Sequence, residues 1–178
     1  MRLGVLSDTH GKADACRAAV ELLQKAKVDA FLHCGDIGDY ARPAEPVFDA
    51  LAGTGCHFVW GNNDDVSPAA ARYASDLGLV LHEPYEPFTL GETTIVLAHG
   101  DAFSATRRLL REAESTGHGP DLLLTGHSHA PHDERIGPVR WINPGALFRT
   151  RTKTVATIDT THLTRRSALR LLTVDVTA

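Results

Sequence analysis

The chain has 178 residues, 43% of them hydrophobic, and a formal charge of −4. That length is most simply one domain, residues 1–178, able to bury a core without staples. The acidic balance provides no overall field for nucleic acid or an anionic membrane, so neither is expected as a stable partner, whereas a homo-oligomer stays open.

Cys16, Cys34 and Cys56 are odd in number and widely spaced, which suits reduced thiols acting as small buried hydrophobes and not a disulfide framework. No basic leader with an apolar h-region is seen, and no apolar run reaches ~18 residues, so the expected location is the cytoplasm.

RLGVLS opens the chain as a strand, and Ala15, Ala19, Leu22, Leu23 and Ala26 then recur at helical spacing, predicting an amphipathic helix over 13–26. A second unit repeats the plan, with a strand over 29–34, a helix from Pro43 to Leu51 and a strand over 57–60. Tandem βαβ units imply right-handed crossovers with helices on the sheet faces. Ser67 to Leu77 reads as a helix. The prolines and the Gly-Glu turn of the following stretch predict antiparallel strands, where the sheet changes character. Ser104 is placed to cap a helix running to Ser115, with Leu109, Leu110 and Ala113 inward and Arg107, Arg108 and Arg111 outward. A strand over 121–125 follows. Beyond Pro131 the pattern is all strand, a hairpin about Gly137 and Pro138 and then the pair TVATID with ALRLLTVDV.

Five of the apolar runs end in metal-ligating side chains: Asp8 and His10, Asp36, Asn62, His99, and His127 with His129. Short apolar runs between helical patterns are the signature of a buried parallel sheet, and ligands of open α/β sheets gather at the carboxyl ends of the strands. Each donor alone is ordinary, because Asp and Asn form turns and His is common in loops. Five strand ends carrying donors in a fold that converges them point to a metal site for two ions. In an extended chain, Asp8 and His10 share one side, as do His127 and His129. Gly35 lets backbone approach Asp36, whose two oxygens suit it to bridge cations.

The motifs SDTHG, GD, GNND, AHGD and GHSH, in that order, resemble those of the calcineurin-like metallophosphoesterase superfamily over residues 1 to about 148. The compact size and the INPGA segment at 142–146 are similar to the small bacterial and archaeal phosphodiesterase branch, to which the phosphoesterase-fold scaffold subunit of retromer also belongs. The resemblance implies an α/β fold layered α-β-β-α, with mixed sheets and flanking helices. By motif, Asp8, His10 and His129 would hold one ion, Asn62, His99 and His127 a second, with Asp36 bridging. Two divalent ions, two carboxylates and a bridging hydroxide leave a net charge of about +1, which attracts a phosphate ester and provides hydroxide for in-line attack. Four imidazoles and no thiolate favour Mn, Fe, Ni, Co or Zn over Ca, with Mg a weaker candidate. Manganese is what the resemblance implies most often.

The expected activity is hydrolysis of a small phosphate ester, a phosphodiester first and a monoester second, with Asp36, Asn62 and Asn63 as catalytic positions. Many members of the family carry His where this chain has Asn63, and an amide donates a hydrogen bond but no proton. The rival expectation is a non-catalytic scaffold that binds a partner; the complete donor set argues against it. His33 reads as a hydrogen-bonded core residue, His118 as remote from the site, and His132 as either reaching the rim of the site or a solvated loop residue. Asp64 either orients a liganding His or closes a turn. Arg149 and Arg151 either contact a phosphate or are solvated, and Trp60 is core packing.

Overall fold

The computed structural model describes residues 1–176. In chain order its elements are β1 (Arg2–Leu6), α1 (Ala13–Lys25), β2 (Ala30–His33), α2 (Glu45–Leu51), β3 (His57–Phe58), α3 (Pro68–Asp76), β4 (Val80–Leu81) and β5 (Pro87–Leu90). There follow β6 (Thr93–Leu97), α4 (Phe103–Thr116), β7 (Leu122–Leu124), β8 (His132–Ile136), β9 (Val139–Asn143), β10 (Thr154–Asp159) and β11 (Leu169–Thr173).

Strand alternation sorts the core into layers. Leu3 and Val5 of β1, Leu32 of β2 and Ala156 and Ile158 of β10 pack against Ile95 and Leu97 of β6 and Leu122 and Leu124 of β7, forming a seam between two sheets. Their neighbours face outward: Leu6, Phe31 and Val155 meet α1, α2 and α3, while Val96, Leu123 and Val139 meet α4. This is the period-2 rule applied to strands covered on both faces. The resulting α-β-β-α order is the expected one.

The first sheet runs β11-β10-β1-β2-β3-β4 and the second β5-β6-β7-β9-β8. Both are mixed. Strands β1 to β4 are parallel and β10 and β11 antiparallel; β6, β7 and β9 are parallel, flanked by antiparallel β5 and β8. The change of character expected after Leu77 comes later: β4 still pairs parallel with β3 in the first sheet, and the second sheet starts with β5 at Pro87, antiparallel to β6. Both proposed hairpin pairings near the end of the chain form, β8 with β9 and β10 with β11.

Several boundaries differ from expectation. Ser104 does not cap α4: the helix begins at Phe103, and Ala102 occupies the cap position without a side-chain bond. Ser67 does cap α3, accepting from the Ala70 amide at 3.3 Å, with Pro68 at the first helical position. Helix α2 starts at Glu45 and not at Pro43, and β3 stops at Phe58, leaving Trp60 packed against Phe48 and Phe58. All three cysteines are buried. Among the described residues no helix is long and apolar enough to cross a membrane.

Candidate metal centre

The parallel strands β1, β2, β3, β6 and β7 deliver their carboxyl ends to one edge, and every expected donor lies just beyond one of them. They do not remain extended there. Asp8, His10, Asp36, His127 and His129 all adopt left-handed backbone, with φ of 55°, 46°, 54°, 65° and 57°. The expectation that Asp8 and His10, or His127 and His129, share a face of an extended chain is therefore incorrect. A non-glycine residue held there costs about 1–3 kcal/mol and persists only where its surroundings over-determine it. Cross-loop hydrogen bonds do so: Asp8 N–H to Gly35 O at 3.1 Å, His10 N–H to Asp36 O at 2.9 Å and Gly126 N–H to His99 O at 2.8 Å.

The turns aim the side chains inward. Asp8, His10 and His129 present donor atoms to one point, and Asp8, Asp36 and His99 to a neighbouring one, each group within 4.8 Å. Asp8 belongs to both. His127 and His129 part company: His127 Nδ1 lies 3.3 Å from His99 Nε2, whereas His129 Nε2 lies 3.4 Å from His10 Nε2. Asn62 Oδ1 joins the His99 side at 3.1 Å from Nε2. Asp36 Oδ2 sits between the groups, 3.5 Å from His10 Nε2 and 3.3 Å from His99 Nε2.

These residues fit a divalent cation. Asp8 is fully buried, and its Oδ1 accepts no hydrogen bond, with His129 Nε2 at 3.2 Å outside bonding geometry. A buried, unpartnered carboxylate oxygen is costly unless a cation satisfies it. Burial would raise the pKa of Asp36, but hydrogen bonds from His99 and from both the amide and side chain of Asn63 hold it well below the usual carboxylate range. Asp36 is thus an anion ready for a cation. His10 is pushed down by burial, against the pull of Asp36 and Asp8, which favours the neutral, ligating imidazole.

Outer contacts fix this arrangement. His99 Nδ1 donates to the Cys34 carbonyl at 2.9 Å. Asp39 Oδ2 stands 3.8 Å from His10 Nδ1 and is paired with Arg42, whose Nε–H donates to the His10 carbonyl at 2.7 Å. Asn143 donates to the Gly126 carbonyl at 2.6 Å and holds the loop carrying His127. Nothing in the sequence pattern singled out Asp39 and Arg42, three and six residues past Asp36; Asn143, the last residue of β9, had its signal in the Asn-Pro-Gly of the 142–146 segment. Gly61 and Gly126 permit close approach: a Cβ on the first would strike Asp36, and one on the second Ser7 Oγ and Asp8 Oδ2.

The remaining candidates fall elsewhere. Asn63 is in the site, its side-chain amide donating to Asp36 Oδ2 at 2.8 Å and its backbone amide to Oδ1 at 2.9 Å. Asp64 orients no histidine; it accepts from the Gly38 and Gly61 amides at 2.7 and 2.8 Å and ties two site loops together. Its carboxyl is raised by burial to about 6. His33 is a core residue, bonded to Thr9 Oγ1 at 2.9 Å. His132 is not a solvated loop residue, since it starts β8 and its ring lies 4.4 Å from that of Trp141. Arg149 packs over Phe148 and lines a pocket with His10 and Asn63, while Arg151 is exposed. His118 is bonded in the turn after α4 and takes no part in the cluster.

A profile described as the Calcineurin-like phosphoesterase superfamily domain matches residues 1–165. A phosphodiesterase of Methanocaldococcus jannaschii is 24% identical over 163 residues, covering 90% of this chain and 93% of its own. A probable metallophosphoesterase of Mycoplasma pneumoniae is 31% identical over 149 residues, 80% and 77% of the two chains. Among solved structures, an archaeal phosphodiesterase superimposes with a TM-score of 0.80 at 21% identity, over 97% of this chain and 99% of that one. The Escherichia coli phosphoesterase Yfce does so with a TM-score of 0.66 at 20% identity, over 98% and 100%. These two likenesses establish the fold, and the layered sheets, the donor order and the 165-residue match agree: the chain belongs to the calcineurin-like phosphoesterase superfamily.

Proposed function

We propose that this chain is a metal-dependent phosphodiesterase that uses two divalent ions, manganese first among them. The observation that carries the reading is the pair of adjoining donor groups that share Asp8, the second containing an ionised Asp36 whose Oδ2 also lies 3.5 Å from His10 Nε2 of the first. Asp8, His10 and His129 would hold one ion and Asn62, His99 and His127 the other, with Asp36 common to both. Bound there, such ions supply a water of lowered pKa and positive charge for the phosphoryl oxygens.

The chain's own residues do the rest. Asp36 is kept anionic by Asn63 and His99, so it neither needs nor holds a proton at neutral pH. Asn63 borders the pocket containing His10, Tyr40 and Arg149, where its amide can hydrogen-bond a phosphoryl or leaving oxygen but cannot protonate it. Arg149 faces the same space as a guanidinium able to receive a phosphate oxygen. A phosphodiester is preferred to a monoester because the relative named as a phosphodiesterase spans nearly the whole chain. A non-catalytic role is disfavoured by the completeness of the donor set.

The deciding experiment is hydrolysis of bis-(4-nitrophenyl) phosphate beside 4-nitrophenyl phosphate, on metal-stripped protein with and without Mn²⁺. Manganese-dependent cleavage favouring the diester and lost in Asp36→Ala is the expected result. No turnover with any divalent ion would overturn the reading.

A further inference from the structure

The donor cluster has unlike neighbours on its two sides. Beyond His10, the pocket walls carry Arg42 and Arg149 and the exposed ring of Tyr40. Beyond His127, a cavity of about 440 Å³ opens, within the range of ~300–1,000 Å³ common for small-molecule sites. Its walls are His127 and Ser128 from the loop after β7, Asp101 and Phe103 at the start of α4, and His132 and Trp141 from the β8–β9 hairpin.

Three aromatic rings, those of Phe103, His132 and Trp141, therefore line one cavity beside the proposed metal centre. Phe103 is 57% exposed and contributes to no core cluster among the described residues. Trp141 is locked in place, its indole N–H donating to Thr125 Oγ1 at 2.9 Å, and His132 lies across it with ring planes at 57°. His132 Nε2 is buried without a hydrogen-bond partner, with only Glu134 Oε2 near it at 3.3 Å. The Asp101 carboxylate is exposed and accepts no side-chain hydrogen bond among the described residues. Aromatic walls suit a planar ring, and a free carboxylate repels a second phosphate while accepting from N–H donors.

We infer that this cavity seats a nucleobase, carried on one ester arm of the phosphodiester, stacked against Phe103 and Trp141 with its amino group toward Asp101. The inference rests on the phosphodiesterase reading and narrows its substrate class to nucleotide-containing diesters. Phe103 and Asp101 are then specificity-determining residues. The guanidinium-lined pocket on the His10 side is left for the more anionic arm.

The test compares adenosine 5′-monophosphate with ribose 5-phosphate, which share the phosphate and sugar and differ by the base. Their dissociation constants are measured by calorimetry on the manganese-loaded full chain, wild type, Phe103→Ala and Asp101→Asn. The expected result is adenosine monophosphate tighter by about tenfold or more, the advantage falling below about threefold in Phe103→Ala. Asp101→Asn should weaken the adenosine compound and leave ribose 5-phosphate unmoved. Equal affinities in the wild type, or an advantage untouched by Phe103→Ala, would overturn the inference. Hydrolysis of bis-(4-nitrophenyl) phosphate by the same preparation separates the two readings. Turnover without base preference removes only the nucleobase pocket, and base preference without turnover removes only the enzyme.

Discussion

The Nδ1 atom of His99 lies 2.9 Å from the carbonyl oxygen of Cys34. A carbonyl only accepts, so Nδ1 carries a proton and Nε2 is the nitrogen turned toward Asp36 and Asn62. Burial by itself would lower the pKa of His99, but the hydrogen bond and charge of Asp36 outweigh it and raise it to about 9. In the metal-free chain Nε2 is therefore protonated at neutral pH, bonded to the carboxylate that a metal would also use.

Metal loading must displace that proton. Manganese affinity should rise as pH increases toward about 9, and binding should release protons to the buffer. Calorimetric titrations in buffers of differing ionisation enthalpy check this; the same observed heat in every buffer would contradict it.

Asn63 holds both oxygens of Asp36 through its backbone and side-chain amides. General acid assistance is typically worth about 10²- to 10⁴-fold. Asn63→His should therefore accelerate alkyl leaving groups far more than 4-nitrophenolate, flattening the dependence of rate on leaving-group pKa. An unchanged slope across a series of diesters would refute the role assigned to this position.

His33 is fully buried, and burial lowers its pKa from 6.5 to about 4. Its Nδ1 accepts from the Gly35 amide at 3.1 Å, so neutral His33 donates from Nε2 to Thr9 Oγ1 at 2.9 Å, and Thr9 passes its own proton to Ile37 O at 3.1 Å. The unfolded chain binds the proton first, near pH 6.5. Stability from this group is thus complete above pH 6.5 and is lost as pH falls through about 4. The shift corresponds to about 3 kcal/mol. Urea unfolding of metal-free protein at pH 7 and pH 4 should show a decline larger in the wild type than in His33→Gln by about that amount.

Gly126 has no room for a methyl group, because Ser7 Oγ and Asp8 Oδ2 occupy the place of its Cβ. Gly126→Ala should lower stability by about 1–3 kcal/mol and weaken manganese binding by about tenfold or more, since Asp8 must move. Gly53→Ala is the control. That glycine has a φ of +75° and nothing within 4 Å, so its cost of about 1–2 kcal/mol should leave metal affinity unchanged.

The strands and the candidate donors were legible in the sequence from local pattern, whereas the α-β-β-α layering was expected only from the resemblance to a known superfamily. Runs such as TIVLA alternate between two buried faces, and each ends where a polar residue can only emerge at the sheet edge. Helix ends were less legible, as Ser104 illustrates: whether a serine caps or lies within the first turn depends on where the preceding loop arrives from β6. The amino-acid sequence by itself determined which side chains could ligate and at which edge they would stand. The tertiary structure alone decided how they point. His127 and His129 separate, and Asp8 comes to serve both groups, because backbone at these positions is left-handed. Asp and His enter this conformation more readily than most residues, but what holds it here is a set of backbone hydrogen bonds donated to the carbonyls of Gly35, Asp36 and His99, residues far away in the chain.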